Sequence, residues 1–182
     1  MIYLERMSKE TKYIIGTFAV ITALVVGVAI LASKPTGGSV DGATTGGDRY
    51  VSNVLIQGVS ANTESIDIGK VGYGGGIVSK VYEIKNDTGR DLKLKKIVTS
   101  CMCTKARVVF GDKATKLYAM EMNGDKNPII DYDFPAGSAA KVEFNFDPAA
   151  HGPAGIGPID RVITLYFDGG FKELKFNGEV VK

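Results

Sequence analysis

The strict alternation Val142-Glu143-Phe144-Asn145-Phe146 constrains this chain more than any other feature. Apolar and polar residues at period 2 place one face of an extended strand on a core and the other in water. The same pattern recurs along the chain. It appears in Ile66-Asp67-Ile68, Val78–Lys85, Leu92–Val98, Ala106–Phe110, Ala114–Met122, Ile129–Phe134, Arg161–Phe167 and Phe171–Phe176, with Gly178–Val181 closing the chain. Turn signals punctuate these runs: Asn86-Asp87-Thr88-Gly89-Arg90, Asn123-Gly124-Asp125, Pro135-Ala136-Gly137-Ser138 and Asp168-Gly169-Gly170. Seven or more short strands with a turn about every ten residues predict an all-β, antiparallel β-sandwich. The antibody framework of two distant Cys and a core Trp is absent, because the two Cys are two positions apart and there is no Trp. The apolar core must therefore carry stability, and about 130 residues are enough to build one.

A different pattern governs the N-terminus. Tyr13 through Ser33 is a run of 21 residues without a charge. At 1.5 Å per residue, about 20 apolar residues cross a hydrocarbon core of roughly 30 Å. A cleaved signal peptide is the rival, but its apolar region usually spans only about 7–15 residues. Gly27-Val28-Ala29 would serve as a cleavage site, yet it lies inside the run, and no lipoprotein Cys follows. The expectation is an uncleaved transmembrane helix at 13–33. Arg6, Lys9 and Lys12 precede the run, and after Lys34 the next basic residue is Arg49. The positive-inside rule then makes 1–12 a cytoplasmic N-terminus and places the rest outside the cell membrane as a single-pass protein. Residues 34–49 are rich in Gly, Thr, Ser, Asp and Pro, a composition that predicts a flexible linker. The β-sandwich domain is expected over 50–182.

Composition narrows the partners and the chemistry. Twenty-two Lys and Arg against 20 Asp and Glu, with no basic block, give no nucleic-acid footprint. The single His, His151, excludes three-His zinc sites and the His-Glu-x-x-His motif. Gly72-Tyr73-Gly74-Gly75-Gly76 lacks the following helix and Lys-Ser/Thr of a phosphate loop, so a tight hairpin or bulge is expected there.

Cys101-Met102-Cys103 is the one unusual local feature. On a strand the two Cys share a face at roughly 6.6 Å, near the upper limit for a disulfide. Three roles follow. The Cys are small buried hydrophobes on the core face, or a soft-metal pair for Cu or Zn, or a labile redox bridge. The first is preferred, and it requires no cofactor. His151, with Cys101 and Cys103, completes a conceivable metal set, and Met120 and Met122 repeat the two-residue spacing. His151 lies in the Pro/Gly loop Asp147–Gly155, where Asp147 is the candidate to orient it. No Ser or Cys nucleophile is implied beside it.

The order of these motifs resembles a known family. Ile68-Gly69-Lys70-Val71 is followed by Tyr82-Glu83-Ile84-Lys85-Asn86, Thr99-Ser100-Cys101-Met102-Cys103-Thr104, Pro135-Ala136-Gly137-Ser138, Phe144-Asn145-Phe146-Asp147-Pro148 and His151-Gly152-Pro153. Over about residues 62–182 this is similar to the bacterial domain of unknown function 1573, itself like the Ig-like sandwiches of the Hydin and major sperm protein type. Met102 stands where the family pattern has Gly, and Gly111–Asn127 is longer than the family norm. The resemblance implies an Ig-like fold and, by analogy with related sandwiches, a binding or scaffolding module. The expected protein is a non-enzymatic module presented outside the membrane to a protein partner, with soft-metal or thiol chemistry at the Cys pair as the alternative.

Overall fold

The computed structural model describes residues 53–182. The cytoplasmic segment 1–12, the anchor 13–33 and the linker 34–49 lie outside the described residues, as do residues 50–52 of the domain. Among the described residues no helix is long and apolar enough to cross a membrane.

The alternating runs form strands, as their period requires. They are β1 (Val59–Ala61), β2 (Ser65–Gly72), β3 (Val78–Asn86), β4 (Leu92–Thr99), β5 (Thr104–Phe110), β6 (Lys113–Ala114), β7 (Tyr132–Phe134), β8 (Ala139–Phe146), β9 (Gly157–Phe167) and β10 (Gly170–Val181), with one 3-10 turn at Gly152–Gly155. Two five-stranded sheets result, ordered β1-β3-β8-β5-β6 and β2-β10-β9-β4-β7. Their apolar faces meet. β8 contributes Val142, Phe144 and Phe146, while β9 and β10 contribute Ile163, Leu165, Phe167, Leu174 and Phe176, all at most 2% exposed. Phe144 stacks on Phe176 across the gap with ring centroids 4.4 Å apart. Fully burying one such side chain contributes about 1.5–3 kcal/mol. The Tyr82 hydroxyl spans the same gap to donate to the Lys175 carbonyl, and burial raises its pKa so that it stays protonated.

Tertiary pairing changes several expectations. The sandwich is not wholly antiparallel, because β2 pairs parallel with β10. The chain meets the start of β10 in a parallel bridge at Leu55–Phe171, pairs with β3 through β1, and returns to β10 as β2, again parallel. Gly178 makes that pairing fit: a Cβ there would lie 2.6 Å from Ile68 Cγ1 and 2.7 Å from the Gly69 carbonyl oxygen. The glycines after β2 do not form a hairpin. They carry the chain from one sheet to the other, with Gly75 N–H donating to the Gly72 carbonyl at 2.9 Å.

The run Ala114–Met122 is not one strand. Ala114 pairs with Val109 and Tyr118 pairs with Ala106, so this edge carries one extra residue, a bulge. Inside it the Thr115 hydroxyl accepts the Val108 N–H at 3.1 Å. On β4 a register shift between Leu94 and Lys96 lets Leu94 and Ile97 both face the core. It also sets Lys96 opposite Tyr166, on the face away from Ile97, where its buried ammonium pairs with Glu121 at 2.7 Å.

Candidate functional site

Ser100–Cys103 and Asp147–Ile156 are both crossovers between the two sheets, and they lie at the same end of the sandwich. Cys101-Met102-Cys103 is therefore not extended, as the strand-based expectation had it. It turns, closed by Thr104 N–H donating to the Cys101 carbonyl at 3.1 Å. The buried Thr99 hydroxyl lies 3.0 Å from both the Cys101 and Thr104 carbonyls and shares its one hydrogen between them. The turn draws the two Cys Cα atoms to 5.2 Å, inside the usual disulfide range, and the two sulfurs are bonded. Both Cys are buried, at 6% and 3% exposure, whereas Met102 at the tip is 47% exposed. Changing direction between two sheets, rather than continuing a strand, is what makes the bridge reachable.

The second loop is tied to the first. Asp147 N–H donates to the Cys103 carbonyl at 2.8 Å. Asp147 does not orient His151. Its carboxylate accepts the Ala149 N–H at 2.9 Å and so shapes the loop. The chain then turns through Ala149 to His151, at the N-terminal end of the 3-10 segment, with His151 Nε2 3.0 Å from Cys101 Sγ. Gly155 permits this path, because a Cβ there would stand 3.0 Å from His151 Cβ. The ligating atoms of Cys101, Cys103 and His151 all lie within 4.8 Å of one another, with His151 on the exposed side. Met120 and Met122 lie on the β6–β7 connection.

One participant is invisible to motif reading. Arg161, near the start of β9, donates from Nε to Cys103 Sγ at 3.4 Å, and its Nη1 donates to the Asp160 carbonyl at 2.8 Å. Beside it, Val162 N–H donates to the Ser100 hydroxyl and Ser100 N–H to the Val162 carbonyl, each at 2.9 Å. Arg161 is 58 residues from Cys103 in the chain, so no local spacing could have linked them. The site thus has two sulfurs at the floor, an imidazole at the mouth and a guanidinium on one flank. Such a set can hold a soft cation once the sulfurs are reduced, or exchange a disulfide with an incoming thiol.

Comparison with known proteins accords with the first part of the motif order. No curated protein matches. A protein of unknown function from Porphyromonas gingivalis W83 aligns over 67% of this chain at 16% identity with a TM-score of 0.49, and the chain spans about half of it, 46%. The ASH/PapD-like domain of human CEP192 aligns over 76% of this chain and 99% of its own length, at 12% identity and a TM-score of 0.40. The family described as "Protein of unknown function (DUF1573)" matches residues 59–116. That match is shorter than the motif order implied, and it ends inside the long segment Gly111–Asn127. Over residues 59–116 the chain resembles the DUF1573 proteins, the family to which its ordered motifs point.

Proposed function

We propose that this chain is a membrane-tethered, extracytoplasmic β-sandwich that works by binding a protein partner rather than by catalysis. The uncharged run Tyr13–Ser33, preceded by Arg6, Lys9 and Lys12, carries the reading. The Cys101–Cys103 disulfide supports it, since such bonds persist in oxidising compartments outside the cytoplasm. The filled aromatic core between the sheets leaves the strand edges and end loops as the surfaces for a partner. A reporter fused after Lys182 tests the topology. It should be active outside the membrane, and carbonate washing should leave the full chain in the membrane fraction. A reporter active only in the cytoplasm overturns the reading.

A second reading, soft-metal or thiol chemistry at Cys101 and Cys103, is favoured by one observation: His151 Nε2 lies 3.0 Å from Cys101 Sγ. It does not depend on the tether.

A further inference from the structure

We infer that Cys101, Cys103 and His151 form a Cu(I) site that is closed by the disulfide and opened by its reduction. The inference rests on the thiol reading just given and names its metal and its switch. Three features carry it.

The donor set is two sulfurs and one imidazole nitrogen, with all three ligating atoms within 4.8 Å. Cu(I) prefers thiolates and accepts few ligands, whereas structural Zn(II) takes four protein donors. Charge balance points the same way. Two thiolates and the Arg161 guanidinium, 3.4 Å from Cys103 Sγ, sum to one negative charge. A monovalent ion neutralises the site. A divalent ion leaves it positive and meets twice the repulsion from Arg161.

The second feature is access. His151 is exposed while both Cys are buried, so an arriving ion meets the imidazole first and the sulfurs behind it.

The third is the bond between the sulfurs. In the oxidised chain neither sulfur is a thiolate. An external dithiol transfers two electrons: the Cys101–Cys103 bond breaks, a disulfide forms in the reductant, and its two protons end on the Cys thiols. Cu(I) then displaces both protons to solvent as the thiolates bind it. Reoxidation reverses the sequence and releases the ion. The crossover turn is suited to this, because the Thr99 hydroxyl holds the Cys101 and Thr104 carbonyls without using either sulfur.

The test uses the full chain in detergent micelles, in its oxidised form and after reduction by a water-soluble phosphine. Cu(I) is presented as its coloured bicinchoninate complex, and Zn(II) is offered in a parallel competition. The reduced chain should strip about one Cu(I) per molecule, and the oxidised chain should strip none. Cys101→Ser and Cys103→Ser should abolish uptake. His151→Gln, at an exposed position where folding is kept, should weaken it about tenfold or more. Arg161→Gln should narrow the preference for Cu(I) over Zn(II). Equal uptake by the oxidised chain overturns the switch, and full affinity in His151→Gln overturns the three-donor site. Preferential Zn(II) uptake overturns the choice of metal while leaving the thiol reading standing. A folded, reduced chain that takes neither ion overturns both.

Discussion

The two ends of the sandwich solve the same problem, turning the chain between sheets, with different chemistry. At one end Asn86, fully buried, closes the network. Its Nδ2 donates to the Phe134 carbonyl at 2.7 Å and the Arg90 carbonyl at 2.9 Å. Its Oδ1 accepts from the Thr88 N–H and hydroxyl at 3.1 and 2.6 Å. The Asn86 side chain has then used both of its donors and both lone pairs. At the other end the buried groups include two sulfurs, and the polar side chains facing them are an imidazole, a guanidinium and the Thr104 hydroxyl. Sulfur is a weak hydrogen-bond partner but a strong ligand and redox centre. A saturated amide network locks a turn, whereas a sulfur–imidazole cluster keeps chemical capacity. The same fold thus has a structural end and a reactive end.

Breaking the structural end should cost the most. Asn86→Ala strands the buried Phe134 carbonyl and removes the acceptor of the Thr88 N–H, and should destabilise the domain by about 3 kcal/mol or more, leaving metal uptake by the reduced chain unchanged. Urea unfolding measures the cost, and a loss below about 1 kcal/mol would erase the contrast between the ends. Replacing Cys101 and Cys103 together with Ala should cost about 1–3 kcal/mol, from lost packing and from opening a very short covalent loop. His151→Gln should stay within about 0.5 kcal/mol of the parent, since an exposed side chain at the mouth contributes little to folding. A larger loss would make His151 structural and move it to the other class.

The smallest effect concerns acid. Hydrogen bonds from Lys85 and then Ser60 hold the exposed Asp87 carboxyl below its ordinary value, and Lys95 does the same for Asp131. A carboxylate whose folded pKa is depressed stabilises the fold above its unfolded value, and that contribution is lost as pH falls through the folded one. Stability should therefore decline below about pH 4. Asp87→Asn should flatten that decline slightly in unfolding curves taken at stepped pH. An unchanged slope would show that Asp87, next to Asn86, is only a solvated neighbour of the locked turn.

What the sequence determined by itself is what period 2 can encode. Side chains alternate across a strand whatever the strand pairs with, so the core faces of β8, β9 and β10 were readable residue by residue. The Cys pair and the lone His were readable as chemistry for the same reason: residue type is local information. Pairing is not. The three-residue β1, the parallel β2–β10 ladder and the bulge that splits Ala114–Met122 depend on which strand arrives alongside, and no local pattern states that. Lys96 stands at period 2 from Leu92 and Leu94, the core-facing side of a regular strand, until the β4 register shift pairs it with Tyr166 on the other face, where it meets Glu121. Only the tertiary structure decided the site. Cys101 and His151 are 50 residues apart, and Cys103 and Arg161 are 58. Their sulfur, imidazole and guanidinium meet because two crossovers and the start of β9 share one end of a two-layer sheet. Apolar burial drives that layering, and it positions these groups without reference to their chemistry.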